Sequence, residues 1–251
     1  MTGTPALSVS GLTVAFGGIV AVNDVTFDLP VGARHALIGP NGAGKTTFVN
    51  LLTGTLKPTA GTIRIGDEDA TRLDTRSRVK RGLTRTFQIN TLFAGLTPLE
   101  AVSLAIAERD DLAGIWWRRL GGFSGLRDEA EALLSSLRLI EHAQVPTGEL
   151  AYGKQRLLEI ALALAAKPRI LLLDEPAAGI PAGESREVFE VVDALPDDIS
   201  VLFIEHDMQL VFRFARRIVV LTSGSVLAEG TPDEIRRNDD VRAAYLGSTH
   251  V

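Results

Sequence analysis

The chain has 251 residues, a formal net charge of -5 and a hydrophobic fraction of 45%, which suits one large packed core, or a core domain with a smaller lobe, and argues against a disordered chain. It has no cysteine and four scattered histidines, His35, His142, His206 and His250, so neither a disulfide framework nor a thiolate or histidine-cluster metal site is expected. Its mild acidity argues against a dedicated nucleic-acid binder, its first residues lack the pattern of a secretory signal, and no apolar run approaches the roughly 18 residues of a membrane helix, so a cytosolic chain is expected, reaching a membrane only through a partner.

The chain opens on alternation: "LSVSGLTVAF" and "VTFDLP" read as half-buried antiparallel strands at a sheet edge. A turn at Pro30 to Gly32 leads into "RHALIG", a short apolar strand that runs into a glycine-rich loop. "KTTFVNLLTG" continues with helical spacing over Phe48, Leu51 and Leu52 and stops at Gly54. "TLKPTAG" is a turn, and "TIRI" begins another hairpin. "TPLEAVSLAIAERDD" predicts a helix with Thr97 as N-cap, Pro98 at its first position and Glu100 completing a capping box. "RDEAEALLSSLRLIEHA" predicts a second amphipathic helix on Leu133, Leu134, Leu137 and Ile140. Between them, "AGIWWRRLGGFSG" is a glycine-rich loop with two tryptophans and two arginines. Residues 88–165 are therefore expected to form a helical insertion, with 1–87 and 166–251 as the core. Past the insertion, "RILLLDEP" and "ISVLFIEHD" read as buried strands, "GESREVFEVVDAL" and "MQLVFRFARR" as helices, and "IVVLTSG" with "SVLAEG" as a hairpin. Strand–helix alternation of this kind implies an α/β fold with a mainly parallel sheet, joined here to an N-terminal antiparallel β subdomain and an inserted α-helical lobe.

The strongest chemical signal is "GPNGAGKTT": Gly39, Pro40, Asn41, Gly42, Ala43, Gly44, Lys45, Thr46 and Thr47. It fits G-x-x-x-x-G-K-[ST] and stands between a buried strand and a helix, where such a loop cradles phosphates. The glycines let backbone N–H groups turn inward, and the helix N-terminus adds partial positive charge. Lys45 is expected on the β- and γ-phosphates and Thr46 on Mg²⁺. The second signal is "ILLLDEP", a buried run that delivers Asp174 and Glu175 at a strand end. Two adjacent acids there are costly without a cation or hydrogen bonds. Asp174 is expected in the Mg²⁺ shell, and Glu175 polarising the attacking water.

Three single residues carry weaker signals. His206 in "FIEHD" leaves a strand on the side where α/β sheets bind ligands, which favours a donor to the γ-phosphate over mere packing. Gln88 in "RTFQ" stands at the start of the insertion and is a candidate to touch Mg²⁺ or water, although a surface position is the default for a glutamine. Phe16 closes the first strand and offers an aromatic face to an adenine ring, against the alternative of an edge-strand core residue.

Taken together, "GPNGAGKTT", "LAYGKQR" before a helix, "ILLLDEP" soon after it and then "EHD" give the chain, over nearly its whole length, a form that resembles the ATP-binding subunits of ABC transporters. The resemblance implies ATP and Mg²⁺ as cofactors and a P-loop ATPase core. It also explains the second glycine turn: Ala151, Tyr152, Gly153 and Lys154 occupy the place of the family's L-S-G-G-Q signature, which completes the ATP site of a neighbouring subunit in a head-to-tail dimer. Ala151 removes the usual serine hydroxyl, and Tyr152 and Lys154 replace a glycine and a glutamine.

"TFQ", "LAYGKQRLLEIA", "DEPAAGI", "IEHDM" and the tail "GTPDEIRRNDDVRAAYLG" narrow the resemblance to the ATPases of branched-chain amino-acid importers. Such importers pair permease subunits in the membrane with two ATPases, paralogous or identical, and a periplasmic substrate-binding protein. The resemblance thus implies a chain peripheral to the inner face of the cell membrane, with no nucleic acid among its partners. Pro181 departs from the Asn or Asp common after "AAGI", and Trp116 and Trp117 suit either the permease interface or packing within the lobe. The alternatives are the ATPase of a lipopolysaccharide exporter, disfavoured by "LAYGKQ" and the longer insertion, and a soluble ABC-type mechanical ATPase, disfavoured by the single phosphate loop and the lack of sustained heptads.

Overall fold

A computed structural model describes residues 4–86, 92–112 and 124–246. Two compact units are present: Met1–Arg85 with Arg169–Glu175 and Pro196–Val251, and Thr86–Pro168 with Pro176–Leu195.

The first unit holds two sheets. Alternating burial along β1 (Leu7–Phe16) and β2 (Ile19–Leu29) reflects their period-two pattern. β1 pairs antiparallel with β2 on one side and with β4 (Ala60–Ile65) on the other, and β5 (Glu68–Asp69) completes the order β2-β1-β4-β5. β1 is thus an inner strand rather than an edge, because residues beyond the phosphate loop return to pair with it. The second sheet has the order β10 (Ser225–Gly230), β9 (Arg217–Thr222), β3 (Arg34–Ile38), β8 (Ser200–Ile204), β7 (Ile170–Asp174) and β6 (Leu83–Arg85). Every pairing in it is parallel except β9 with β10. β3, β7 and β8 are buried at every position, as continuous apolar runs require.

Helix α1 (Lys45–Leu52) buries Phe48, Val49, Leu51 and Leu52 in a core shared with Leu37, Leu172, Leu202 and Val219. A short helix absent from the sequence reading, α2 (Thr75–Lys80), is capped by Asp74 and carries the buried Arg78. Arg78 donates to the carbonyls of Leu51 and Leu52, each at 2.6 Å, and so satisfies the free end of α1.

In the second unit, α3 (Pro98–Arg109) starts with the expected capping box between Thr97 and Glu100. The next predicted helix is interrupted. α4 (Ser124–Ser136) ends early, Arg138 takes φ 58°, and Ile140–His142 forms a separate 3-10 turn. Leu139 is buried beside the break, while Ile140 is exposed. α5 (Tyr152–Ala165) packs with α3, α4 and α6 (Ala182–Asp193). Residues 176–195, which the sequence reading placed with the core, cluster in this unit, since α6 bonds to the start of α5 through Glu184 and Glu187. Trp116, Trp117 and Gln88 lie outside the described residues. Among the described residues no helix is long and apolar enough to cross a membrane.

Candidate active site

The strand–loop–helix geometry of the phosphate loop is set by β3, which ends at Ile38, and α1, which begins at Lys45. Gly44 caps α1 at φ 97°, a left-handed conformation that favours glycine, and an added Cβ there would run into the Ala21 carbonyl. The loop is braced from outside: Gly224, in the β9–β10 turn, donates its N–H to the Ala43 carbonyl at 3.0 Å and carries its own carbonyl to Asn23 at 2.8 Å. A backbone hydrogen bond also ties Gly39 to Tyr245 in the helix Asp239–Leu246, and burial pushes that phenol up to about 12.

Lys45 is 8% exposed. Its Nζ donates to the carbonyls of Gly39 at 2.6 Å and Pro40 at 3.0 Å, so the ammonium is held within the loop. Burial lowers its pKa, and the nearby negative charges of Glu175 and Asp174 oppose that shift.

The paired acids separate as their strand ends. Asp174 is buried and ion-paired to Arg85 of β6. Glu175 turns away at φ 49°, uncommon for a residue with a side chain, and its N–H is held by the Ile204 carbonyl at 3.0 Å. Its Oε1 lies 2.7 Å from Nε2 of His206. The parallel register of Asp174 with Ile204 brings the ends of β7 and β8, and with them this pair, together.

These groups surround one cavity of about 410 Å³, lined by Asn41 to Thr47, Glu175 and His206. Ile19, Val20, Ala21, Ser223 and Gly224 also line it, and none of these was singled out from the sequence. The SG turn was legible as a turn, but its docking on the loop was not. Phe16 is half exposed and pairs at the hairpin tip with Ile19, which lines the cavity, so its aromatic face stays an expected partner for an adenine ring. Ile19 is 73% exposed and Val20 48%. Gln88 falls outside the described residues, so its contact with Mg²⁺ or water stays an expectation.

The signature turn lies in the other unit. Ala151 stands at the N-cap of α5, Tyr152 is 38% exposed, and Gly153 donates its N–H to Glu184 Oε2 at 2.8 Å. Lys154 Nζ meets Glu187 Oε1 at 2.8 Å, so its charge is committed to α6. The Arg156 guanidinium stacks on the Tyr152 ring at 5.2 Å and donates to its hydroxyl at 3.2 Å.

A glycine loop opening a helix, a buried lysine within it and two acids at the end of another parallel strand of the same sheet, with one strand between, define a P-loop nucleotide-binding ATPase. The chain belongs to the ABC transporter family, whose model matches residues 22–178, and a model for the branched-chain amino acid ATP-binding cassette transporter matches residues 225–251. It is 44% identical to the high-affinity branched-chain amino acid transport ATP-binding protein LivG of Escherichia coli K12, over 97% of this chain and 98% of that protein. Its fold matches the ADP conformation of MJ1267, an ATP-binding cassette of an ABC transporter, with TM-score 0.85 and 27% identity over 97% of this chain and 99% of that one. It also matches the dimeric cassette MJ0796, bound to ADP and Pi after hydrolysis, with TM-score 0.72 and 28% identity over 90% of this chain and 98% of that one.

Proposed function

We propose that this ATPase powers an importer of branched-chain or related amino acids through a separate permease, by head-to-tail closure of two ATP-binding subunits. The hydrolytic half of this reading is supported above all by the grouping of Lys45, Glu175 and His206 around one cavity, with Asp174 beside it. The transport half is supported by similarity to LivG over nearly the whole of both chains, and by the match of residues 225–251.

In this reading the N–H groups of Gly42, Ala43 and Gly44 hold the phosphates, and Lys45 leaves its loop carbonyls for the β- and γ-phosphates. Phe16 offers the aromatic face for adenine, at the hairpin tip where its strand partner Ile19 lines the cavity. Mg²⁺ fits the donors present, since the Thr46 hydroxyl and the Asp174 carboxylate are hard oxygens, with Gln88 as the further expected ligand. Bound there, the ion supplies charge neutralisation to the phosphates. Glu175 orients the attacking water, and His206 holds Glu175 and senses the γ-phosphate. Ala151, Tyr152, Gly153 and Lys154 complete the site of a second subunit, a paralogue or another copy. Loss of the γ-phosphate then weakens the interface and opens it. The chain works at the inner face of the cell membrane, held by permease subunits that a periplasmic binding protein supplies, and binds no nucleic acid.

The test is a gentle pull-down from detergent-solubilised native membranes with mass spectrometry of the co-purifying chains. Two polytopic permeases and an ATPase partner are expected. Recovery of soluble partners alone, or of ribosomes or DNA, would overturn the importer reading.

A further inference from the structure

Asp174 does not stand alone at the end of β7. Its Oδ2 accepts a hydrogen bond from Nη2 of Arg85, and the two side chains are 4% and 13% exposed. The same guanidinium donates through Nη1 to Asn50 Oδ1 at 2.7 Å. Among the described residues its buried Nε has no partner, and the two contacts through Nη1 and Nη2 hold the fork. Arg85 ends β6 and is the last residue of the first unit before Thr86. Asn50 lies four residues after Thr46 on α1, on the same face of that helix.

Arg85 therefore joins two elements that each carry one oxygen of the proposed metal site. One arm sets the Asp174 carboxylate, and the other holds the α1 face that presents Thr46. We propose that Arg85 is a positioning residue for the metal-nucleotide site, clamping Asp174 through Oδ2 so that Oδ1 faces the metal shell, and setting through Asn50 the distance between Asp174 and Thr46. The planar fork is what allows this, because two donors a fixed distance apart meet two acceptors from different elements; a lysine ammonium is a single point charge. Outer-shell partners of this kind orient ligands without touching the ion. The inference rests on the reading of Asp174 as a metal ligand.

The test uses the full-length ATPase with ATP bound and Mn²⁺ as a paramagnetic stand-in for Mg²⁺, its affinity read by electron paramagnetic resonance. ATP affinity in EDTA and the thermal midpoint are measured beside it. Arg85→Gln is expected to weaken Mn²⁺ by about tenfold or more, with ATP affinity in EDTA within about twofold of the parent. Arg85→Lys should recover part of the loss, and Asn50→Ala should weaken Mn²⁺ by a smaller factor in the same direction. Unchanged or tighter Mn²⁺ binding in a folded Arg85→Gln, whatever its thermal midpoint, would overturn the proposal and leave a plain structural ion pair. If Arg85→Gln does not fold, unchanged Mn²⁺ affinity in Asn50→Ala overturns it. Asp174→Asn separates the two levels: normal Mn²⁺ affinity there sinks the metal reading itself, whereas loss there with no effect at Arg85 sinks only the clamp.

Discussion

His206 Nε2 lies 2.7 Å from Glu175 Oε1, and the Glu175 backbone stands at φ 49°. A carboxylate that must orient water gains from a fixed direction, and the imidazole provides it. Glu175→Gln is expected to bind ATP with near-parental affinity, to hydrolyse it at least about 100-fold more slowly and to accumulate the closed dimer. Sedimentation with ATP and the proper partner checks the last point. His206→Ala is expected to lower kcat more than it raises KM for ATP; an unchanged kcat would remove the histidine from the site.

Lys45 already spends its charge on two loop carbonyls, at 2.6 and 3.0 Å, while burial lowers its pKa. Replacing it removes a costly buried cation along with the phosphate contact. Lys45→Ala should abolish hydrolysis by at least about 100-fold without lowering the thermal midpoint. Near-normal turnover in the assembled complex would refute the assignment.

Gly153 has no room for a side chain, because an added Cβ would stand 2.5 Å from Glu184 Oε2 and 2.9 Å from Glu184 Cβ. Gly153→Ala is expected to displace Glu184 and tilt the N–H that is proposed to meet a partner's γ-phosphate. ATP binding to the single subunit should persist within about threefold, while ATP-dependent association is lost. Association at parental ATP concentrations would argue that the turn does not complete a neighbour's site.

His35 is 3% exposed and packs edge-on against Phe27 with ring centroids 6.0 Å apart. Burial, and to a lesser degree the charge of Arg217, lowers its pKa from 6.5 to about 4. The unfolded chain therefore takes up this proton at a higher pH than the folded one. The contribution to stability is complete above pH 6.5, is lost as pH falls through 6.5 toward 4, and levels off below that. The difference of 6.5 − 4 = 2.5 units corresponds to about 3 kcal/mol. Denaturant midpoints of the parent and of His35→Leu, measured across this range, should converge in slope near neutrality and diverge in acid; parallel curves would show that His35 charges freely in the fold.

The chemistry that depends on neighbours in the chain was legible in the sequence. "GPNGAGKTT" requires only a strand before it and a helix after it, and Thr97 with Glu100 caps a helix within one turn. The buried runs at β3, β7 and β8 declared themselves by apolar continuity. Chain-distant contacts were not legible. Arg85 meets Asp174 and Asn50 only because β6 pairs with β7, Gly224 braces Ala43 only because β9 lies beside β3, and Ile19 and Val20 line the cavity because of where the hairpin tip docks. α6 joins the helical unit through side chains of Glu184 and Glu187, which no periodicity distinguishes from solvated acids. Local propensity and burial patterns act over a few residues and are carried by the chain itself, whereas the partners of a buried charge are settled by which strands lie side by side, and that is a property of the whole core.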